Sequence, residues 1–394
     1  MIKRYLKKFP ILYRGNAFLK EKLQKRKYST ELTYYQAKAA RKGIVVPNEE
    51  ELFQALQERL KNHGINPILK SKGELNIFLA YYVSNWEAVL PKALKSFGRV
   101  TEFEWRSKGF DDSSPDWLAQ RDRMNEAMLS LFYKVHKEQP IDAVVGYLSG
   151  YNTNPLTVIK MGDSSAVIFN FCWDDKIGFR GKRAGGRWSG PAALASVVDL
   201  NLTNAPDSCI KYMVEGGLAI FWPEAADPDV HKLYDLPFEY DISFVGQCYG
   251  WRPKIINNLK KAGINIVTFG PGWKNGSLSD EEMIKLYSRS RINLGFAGIG
   301  YSKKLMCLKG RDFEVPMSGG LYLTQDNPEL SLVYDVGKEI VTYQDEGDCA
   351  EKIRFLLNHP DEAAKIREAG HIKALKDHTW HKRFEQIFRI VGLL

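Results

Sequence analysis

This 394-residue sequence lacks the features that would mark a metal cage, a disulfide framework or a membrane span. Its five cysteines are scattered with no close pair, which argues against structural zinc and disulfides and favours a reducing compartment. The histidines have no partners at the spacing of metal ligands. No apolar run approaches about 18 residues, so we predict no transmembrane helix and a cytoplasmic location.

Negative charge is scarce at the N-terminus, where residues 1–45 hold thirteen Lys and Arg but only two Glu. The net charge of the whole chain is +9, so the remaining residues are slightly acidic and the basic character belongs to this arm. The arm can dock on an anionic membrane surface, bind nucleic acid, or form a helical extension that packs on the body or on a second subunit. Of these, we favour nucleic acid least.

Residues 1–70 are predicted to form an appended, basic helical extension. Four apolar residues share a helical face ahead of Pro10, which we expect to interrupt the pattern: Ile2, Tyr5, Leu6 and Phe9. Asn48 is expected to cap a second helix that ends at Gly64. The apolar residues of this second helix are Leu52, Phe53, Leu56 and Leu60.

From Leu75 onward, apolar segments of strand length alternate with helical patterns, which is typical of parallel sheets covered on both faces. Because 394 residues are long for one core, we predict an α/β protein with two doubly wound Rossmann-like domains facing a cleft. The predicted division is residues 1–70 for the extension, 71–225 for the N-terminal domain, 226–240 for a linker, 241–378 for the C-terminal domain and 379–394 for a last helix.

One segment of the C-terminal half concentrates cations, carboxylates and glycines just ahead of a predicted strand. Lys309 and Arg311 can neutralise a phosphate, and Glu314 can accept hydrogen bonds from a sugar diol. A ligand or another backbone can approach closely at two residues without Cβ, Gly319 and Gly320. A nucleotide-diphosphate-sugar pocket needs this combination. Composition alone leaves open a charged helix start followed by a glycine turn.

This segment, Leu308–Gly320, is one of seven motifs that occur in order over about 140 residues. The other six are Ser243–Gly246, Tyr249–Arg252, Phe269–Trp273, Tyr287–Leu294, Pro328–Leu330 and His378–Phe384. In this series the chain resembles the C-terminal domain of CgeB-type, or spore-maturation-like, glycosyltransferases of the GT-B superfamily. The resemblance is looser from Asn76 to Pro223 and absent before about Lys70.

The resemblance implies a GT-B-like fold whose C-terminal domain holds the sugar donor and whose last helix crosses back to the N-terminal domain. Glu314 matches the glutamate that binds the donor ribose hydroxyls in retaining enzymes, so it favours retention. Many relatives carry a second glutamate where this chain has Met306, and that departure keeps inversion open. GT-B enzymes generally neutralise the leaving diphosphate with protein cations and helix dipoles, so we expect no metal and no cofactor.

Ligands of open α/β sheets bind at the carboxyl ends of the strands, which directs attention to the loops after the predicted strands. The candidate donor-binding residues are Gly246, Arg252, Gly270, Lys304, Lys309, Arg311, Glu314, Gly319 and Gly320. In the N-terminal domain Asp174 and Asp175 follow a strand, and either can be the general base if the reaction inverts. An exposed loop or a helix cap is the structural alternative for this pair.

These observations predict a hexosyltransferase-type glycosyltransferase, which moves a sugar from a nucleotide-diphosphate sugar to a hydroxyl acceptor. The acceptor is a cell-envelope polysaccharide, a glycolipid or a protein glycan, and residues 1–45 would bring the enzyme to the inner face of a membrane. A non-catalytic nucleotide-sugar-binding or scaffolding protein on the same fold is one alternative, and a DNA-modifying glycosyltransferase is another. An RNA-binding adaptor is disfavoured, because no RNA-binding motif is recognisable outside the arm.

Overall fold

The computed structural model describes residues 10–82, 89–300 and 302–394, with side chains from residue 19 onward. The chain divides into two compact units. The first, here the N-unit, comprises Thr30–Pro223 and Trp380–Leu394. The second, the C-unit, comprises Met1–Ser29 and Glu224–Thr379.

The first element is one long helix, α1 Pro10–Lys42, and the division between the units falls within it. Pro10 is its first residue, a position that suits proline because the missing N–H has no intrahelical partner there. The predicted apolar face formed by Ile2, Tyr5, Leu6 and Phe9 lies outside the described residues. In the N-unit, Tyr35 is buried against Phe179. This part of the arm is therefore a packed helical extension.

The second predicted helix is confirmed as α2 Glu49–Asn62. Asn48 caps it, and Asn48 and Glu51 exchange side-chain and backbone hydrogen bonds in a capping box. Three of its four predicted apolar residues are buried: Leu52, Leu56 and Leu60. Phe53 is 44% exposed and lies outside this buried stripe.

The N-unit contains one six-stranded parallel sheet and a separate two-stranded hairpin. The sheet strands are β1 Leu75–Tyr81, β2 Gly98–Glu104, β3 Ala143–Gly146, β4 Val167–Cys172, β7 Leu200–Thr203 and β8 Ala219–Phe221. The hairpin strands are β5 Arg183–Ala184 and β6 Arg187–Trp188. The order in the sheet is β2-β1-β3-β4-β7-β8. All residues of β1, β3, β4 and β7 are buried, as expected for strands covered on both faces.

Helices connect and cover these strands. They are α3 Leu90–Lys95, α4 Trp117–Glu138, α5 Pro155–Gly162, α6 Asp175–Gly178, α7 Cys209–Val214 and the C-terminal helix, α13 Trp380–Ile390. The core lies between the sheet and α4, where Phe132 contacts Phe78 edge-on and Met128 is buried. Two short 3₁₀ helices also belong to this unit, Pro191–Ala193 and Pro206–Ser208.

The C-unit contains a five-stranded parallel sheet. Its strands are β9 Tyr240–Val245, β10 Ile266–Phe269, β11 Ser290–Leu294, β12 Tyr322–Gln325 and β13 Val341–Tyr343, in the order β10-β9-β11-β12-β13. Its helices are α8 Arg252–Lys261, α9 Asp280–Arg289, α10 Arg311–Met317, α11 Glu346–Asn358 and α12 Pro360–Asp377, with a 3₁₀ turn at Pro328–Leu332. Buried isoleucines of the strands form the core with α8 and α11.

The two sheets confirm the predicted architecture of two doubly wound, Rossmann-like α/β domains. In the C-unit, β10 pairs on one side of β9, and the later strands, from β11 onward, add on the other side. The N-unit does the same around β1 and β3. Among the described residues, no helix combines the length and the apolar character that crossing a membrane requires.

Candidate functional site

The C-unit strand order reverses between β9 and β11, which are neighbours in the sheet. Doubly wound sheets bind ligands at such a point, outside the carboxyl ends of the strands. Two loops meet there: residues 246–251 after β9 and, after β11, residues 295–300 and 302–310, here the β11 loop. Each loop leads into a helix, α8 or α10, so backbone N–H groups at the helix starts add to the positive potential.

Two guanidinium groups converge beside Gly246. Arg252 begins α8 and Arg311 begins α10, and a Cβ atom placed on Gly246 would lie 3.5 Å from Arg252 Nη1 and 3.6 Å from Arg311 Nη1. Burial and the neighbouring charge of Arg311 lower the pKa of Arg252. The pKa of Arg311 is raised, because the effect of its burial is outweighed by Tyr322, Tyr287 and Glu314. In the part of the chain that the structure describes, the buried Arg311 Nε has no hydrogen-bond partner. Holding two like charges together in a buried position is costly unless an anion binds between them.

Two carboxylates flank the neighbouring Gly310. A Cβ atom there would lie 2.7 Å from Glu314 Oε1 and 2.9 Å from Glu224 Oε2. Lys309 is also present, and its Nζ donates a hydrogen bond to Cys307 Sγ at 2.9 Å. Burial raises the pKa of the Cys307 thiol to about 11, so the sulfur is a neutral acceptor. Carboxylates beside cations offer acceptors to sugar hydroxyls within reach of the two guanidinium groups.

A pocket opens beside Arg252 at the same edge of the sheet. Its walls come from the loops after β9 and β11, the first turn of α8 and the last residue of β12: Tyr249, Trp251, Arg252, Ile255, Phe296, Gly298, Gly300, Ser302, Lys303 and Gln325. Arg252 lies over the Tyr249 ring, with 4.4 Å between the guanidinium carbon and the ring centroid. Aromatic rings, an amide and cations are the groups that recognise a planar base and its phosphates.

The glycosyl transferase-like family model matches residues 252–389, which begin at Arg252. HepE of Anabaena, solved with UDP and glucose, superposes with a TM-score of 0.56 at 10% identity, covering 82% of this chain and 100% of HepE. Sucrose-phosphate synthase from Thermosynechococcus elongatus gives 0.55 at 12% identity, covering 80% of this chain and 98% of the synthase. This chain has the GT-B glycosyltransferase fold.

A third structure, an α-glucosyltransferase in complex with UDP-glucose and DNA containing an abasic site, gives a TM-score of 0.55 at 14% identity. The match covers 80% of this chain and 98% of that one. Compared with curated proteins, the sequence has no significant match. Identities this low establish the GT-B fold alone, so the CgeB-type subgroup stays a prediction.

Of the residues predicted to bind the donor, three glycines are packed closely against other residues of this chain and one lysine is exposed. A Cβ atom on Gly270 would collide with the Gly246 carbonyl oxygen. Gly319, at φ +68°, ends α10, and its Cβ would collide with Leu233. A Cβ on Gly320 would lie 2.7 Å from Asn293 Nδ2 and 2.8 Å from Val315 Cγ1. Gly270 is packed against backbone, and Gly319 and Gly320 are packed against side chains. The fourth residue, Lys304, is exposed.

The predicted pair of carboxylates in the N-unit separates into one buried and one exposed group. Asp175 is fully buried and accepts a hydrogen bond from Tyr212 Oη at 2.8 Å. Burial raises the pKa of Asp175 to about 6. Asp174 is exposed, with Tyr147 Oη at 3.4 Å. A general base must reach the acceptor, so this arrangement favours Asp174 over Asp175 for that role.

The sequence interpretation did not select three residues that lie at this site: Glu224, Lys303 and Gln325. Glu224 follows β8 by three residues and Gln325 is the last residue of β12, so the strand-end rule could have found both. Lys303 lies within the β11 loop, next to the predicted Lys304. Nothing in a sequence fixes which of two adjacent loop lysines points to the pocket. Among the described residues, no three His, Cys, Asp or Glu side chains form a group that could hold a metal ion.

Proposed function

We propose that this protein transfers a hexose from a nucleotide-diphosphate sugar to a hydroxyl acceptor. The observation that carries the proposal is the pair of guanidinium groups of Arg252 and Arg311 at Gly246, one helical turn from the Glu314 carboxylate. A diphosphate requires such cations, and a sugar diol requires such a carboxylate. Because HepE and the α-glucosyltransferase were solved with UDP or UDP-glucose, uridine is the base that we propose first.

Catalysis in this proposal rests on stabilising the departing diphosphate. The bond from the anomeric carbon to the diphosphate oxygen breaks, and a bond from that carbon to the acceptor oxygen forms. Arg252, Arg311 and the N-terminus of α8 would stabilise the charge that develops on the leaving oxygen. The resemblance of Glu314 to the glutamate of retaining enzymes favours retention, in which the leaving diphosphate oxygen would take the proton of the acceptor hydroxyl. We expect no metal, because these cations and the helix dipole would neutralise the diphosphate. If the reaction inverts, Asp174 would accept the proton of the acceptor hydroxyl.

A thermal-shift panel of UDP-, GDP-, dTDP-, ADP- and CMP-sugars tests the proposal. Ligand at about 100 times its Kd stabilises a protein by about 2.7 kcal/mol, so one nucleotide class should raise Tm clearly. Glu314→Ala should abolish that shift, and Glu351→Ala should not, because Glu351 is an exposed glutamate of the same unit. No stabilisation of the folded protein by any donor would refute the assignment. Donor binding without transfer or donor hydrolysis would favour a non-catalytic binding protein.

We further propose that the enzyme works at an anionic membrane surface, which would give it glycolipid or cell-envelope acceptors. In α1, Leu19 and Leu23 are 55% and 56% exposed. They share one helical face, here the outer face, with the exposed cations Lys22 and Arg26. Exposed leucines flanked by cations are typical of helices that lie in the headgroup region of anionic bilayers.

Sedimentation with vesicles of phosphatidylcholine, with and without phosphatidylserine, tests the membrane proposal. Each cation near an anionic surface contributes about 1 kcal/mol, so Lys22→Gln with Arg26→Gln should weaken binding to the anionic vesicles by roughly 30-fold. Lys260→Gln with Lys261→Gln removes the same charge from the exposed end of α8 and should change little. Equal loss in both variants would contradict a specific outer face. Salt-sensitive binding to duplex DNA through Lys22 and Arg26, without vesicle binding, would favour a DNA acceptor instead.

A further inference from the structure

The side of α1 opposite the outer face contacts the β11 loop within the C-unit. Lys303 N donates a hydrogen bond to Glu21 Oε1 at 3.0 Å. Gln24 Nε2 donates to the Ile299 carbonyl oxygen at 3.3 Å. Glu21 and Gln24 are three residues apart, so both lie on one face of the helix, here the inner face. The Lys303 amide thus takes its partner from a residue about 280 positions earlier in the chain. The Ile299 carbonyl accepts from Ser302 N at 2.9 Å within the loop and takes a second donor from α1.

The β11 loop has a backbone conformation that lets α1 approach closely. Gly300 has a φ of +59°, and a Cβ atom on it would lie 2.7 Å from the Gln24 side-chain amide. Glycine at this position therefore allows both the left-handed turn and the close approach of α1. Ser302 Oγ accepts hydrogen bonds from Lys304 N and Leu305 N, which orders the residues that follow.

The part of the loop that α1 contacts also forms a wall of the pocket beside Arg252. Lys303 Nζ donates to Glu346 Oε1 at 3.0 Å and lies 5.0 Å from the centroid of the Trp251 ring. The Lys303 carbonyl oxygen accepts a hydrogen bond from Gln325 Nε2 at 3.1 Å. Trp251, Lys303 and Gln325 all line the pocket. The position of the Lys303 backbone therefore decides the shape of this wall.

We propose that Glu21 and Gln24 are positioning residues for the sugar-nucleotide pocket, acting through the β11 loop. The inference rests on the proposed function, because it assigns the pocket to the donor. Neither residue needs to touch the donor. Glu21 fixes the Lys303 amide with a charged acceptor, Gln24 fixes the Ile299 carbonyl, and the pocket wall between them is held before the ligand arrives. The N-terminal helix is then part of the donor site and not only a basic arm.

Hydrogen exchange of the full-length protein and UDP-sugar affinity, measured on the same variants, test the proposal. Glu21→Ala with Gln24→Ala should speed exchange of the Lys303 amide by roughly tenfold, because it loses a charged acceptor. The same variant should raise the Kd of the donor by roughly tenfold. Glu21→Gln keeps an acceptor oxygen and should largely restore both values. Lys25→Ala with Lys27→Ala changes exposed residues of the same helix and is the matched control.

The two readouts separate failure of this inference from failure of the proposed function. Unchanged exchange at Lys303 in the Ala variant would overturn the contact between α1 and the loop. Faster exchange with unchanged donor affinity would overturn the positioning role. If the wild-type protein binds no sugar nucleotide, the proposed function fails, and the donor role of Glu21 and Gln24 fails with it, whatever the exchange at Lys303. An equal effect of the Lys25 and Lys27 substitutions would indicate a general loss of helix stability.

Discussion

The carboxyl ends of the strands differ in charge between the two units. In the C-unit, Arg252 and Arg311 meet beside Gly246, and burial together with the neighbouring cation lowers the pKa of Arg252. In the N-unit, the buried carboxyl group of Asp175 accepts a hydrogen bond from Tyr212 Oη, and the buried Lys211 Nζ donates to the Asp175 carbonyl oxygen. The cation pair gains free energy when an anion binds, whereas Asp175 Oδ2 already accepts a hydrogen bond within its own unit. This difference supports the proposal that the C-unit recognises the donor and that Asp175 has a structural role.

Replacing one member of the cation pair should have the largest effect. Arg252→Met keeps an unbranched apolar stem beside the Tyr249 ring but removes the charge. We expect turnover of the sugar donor to fall by at least about a hundredfold. Removing one hydrogen-bond donor that stabilises the transition-state charge has an effect of this size in other active sites. The Tm of the ligand-free protein should be unchanged or higher, because the repulsion with Arg311 is relieved. Steady-state kinetics and thermal unfolding measure the two effects.

Arg354→Met is the control for this experiment, because Arg354 is an exposed arginine of the same unit. It should leave turnover unchanged. A lower Tm in Arg252→Met, with turnover preserved, would show that Arg252 is a structural cation. The contrast between the strand ends of the two units would then disappear.

The second largest effect should come from the glycine between the two carboxylates. Gly310 has helical φ and ψ values, so Gly310→Ala is compatible with the backbone. The new methyl group would displace the Glu314 and Glu224 carboxylates, which are flexible ends of side chains. We expect donor affinity to fall roughly tenfold, which is about 1.4 kcal/mol, with little change in Tm. Isothermal titration with UDP-glucose measures this effect.

Gly178→Ala in the N-unit is the matched control for the glycine experiment. A Cβ atom there meets no atom within 4 Å. This substitution should leave donor affinity unchanged. Equal losses of affinity in the two variants would contradict a specific role for the Glu224 and Glu314 pair.

Most of the fold could be predicted from the sequence, because buried parallel strands are continuous apolar runs. The strand β1 is one example, with every residue buried. The helix α12 Pro360–Asp377 could not be predicted in this way. Its buried residues are small, namely Ala363, Gly370 and Ala374, so no large apolar residues recur at helical spacing. At Gly370 the Glu339 carbonyl oxygen approaches so closely that no Cβ would fit.

The candidate site could be predicted only in part. Arg252 and Arg311 follow strands, so the strand-end rule identifies both from the amino-acid sequence. The rule cannot separate glycines that serve packing, such as Gly319, from glycines that admit a ligand. It also cannot find Glu21, which reaches the β11 loop from the far end of the sequence. Such contacts depend on tertiary structure and leave no local pattern.

The smallest expected effect on donor binding concerns the buried carboxyl group of the N-unit, whose replacement should change stability instead. The pKa of Asp175 is about 6 in the folded protein, above its usual value near 4 in an unfolded chain. The folded state therefore binds this proton more tightly, and stability should fall as pH rises from about 4 to 6, by up to about 1.4 kcal/mol per pH unit. Asp175→Asn should remove this slope from the unfolding of the N-unit, which denaturant titrations at several pH values would measure.

In the C-unit, Asp312 is a buried carboxyl group like Asp175, and burial also raises the pKa of Asp312 to about 6. Asp312→Asn should flatten the pH dependence of the C-unit and leave that of the N-unit as it is. Asp174→Asn, at the exposed neighbour of Asp175, should change neither slope. If Asp175→Asn unfolds with the same pH dependence as the wild type, the pKa of Asp175 is not raised in the folded state. Like the C-unit, the N-unit would then hold an ionised buried group after its strands. Asp175 would then again be a candidate for the general base that accepts the proton of the acceptor hydroxyl.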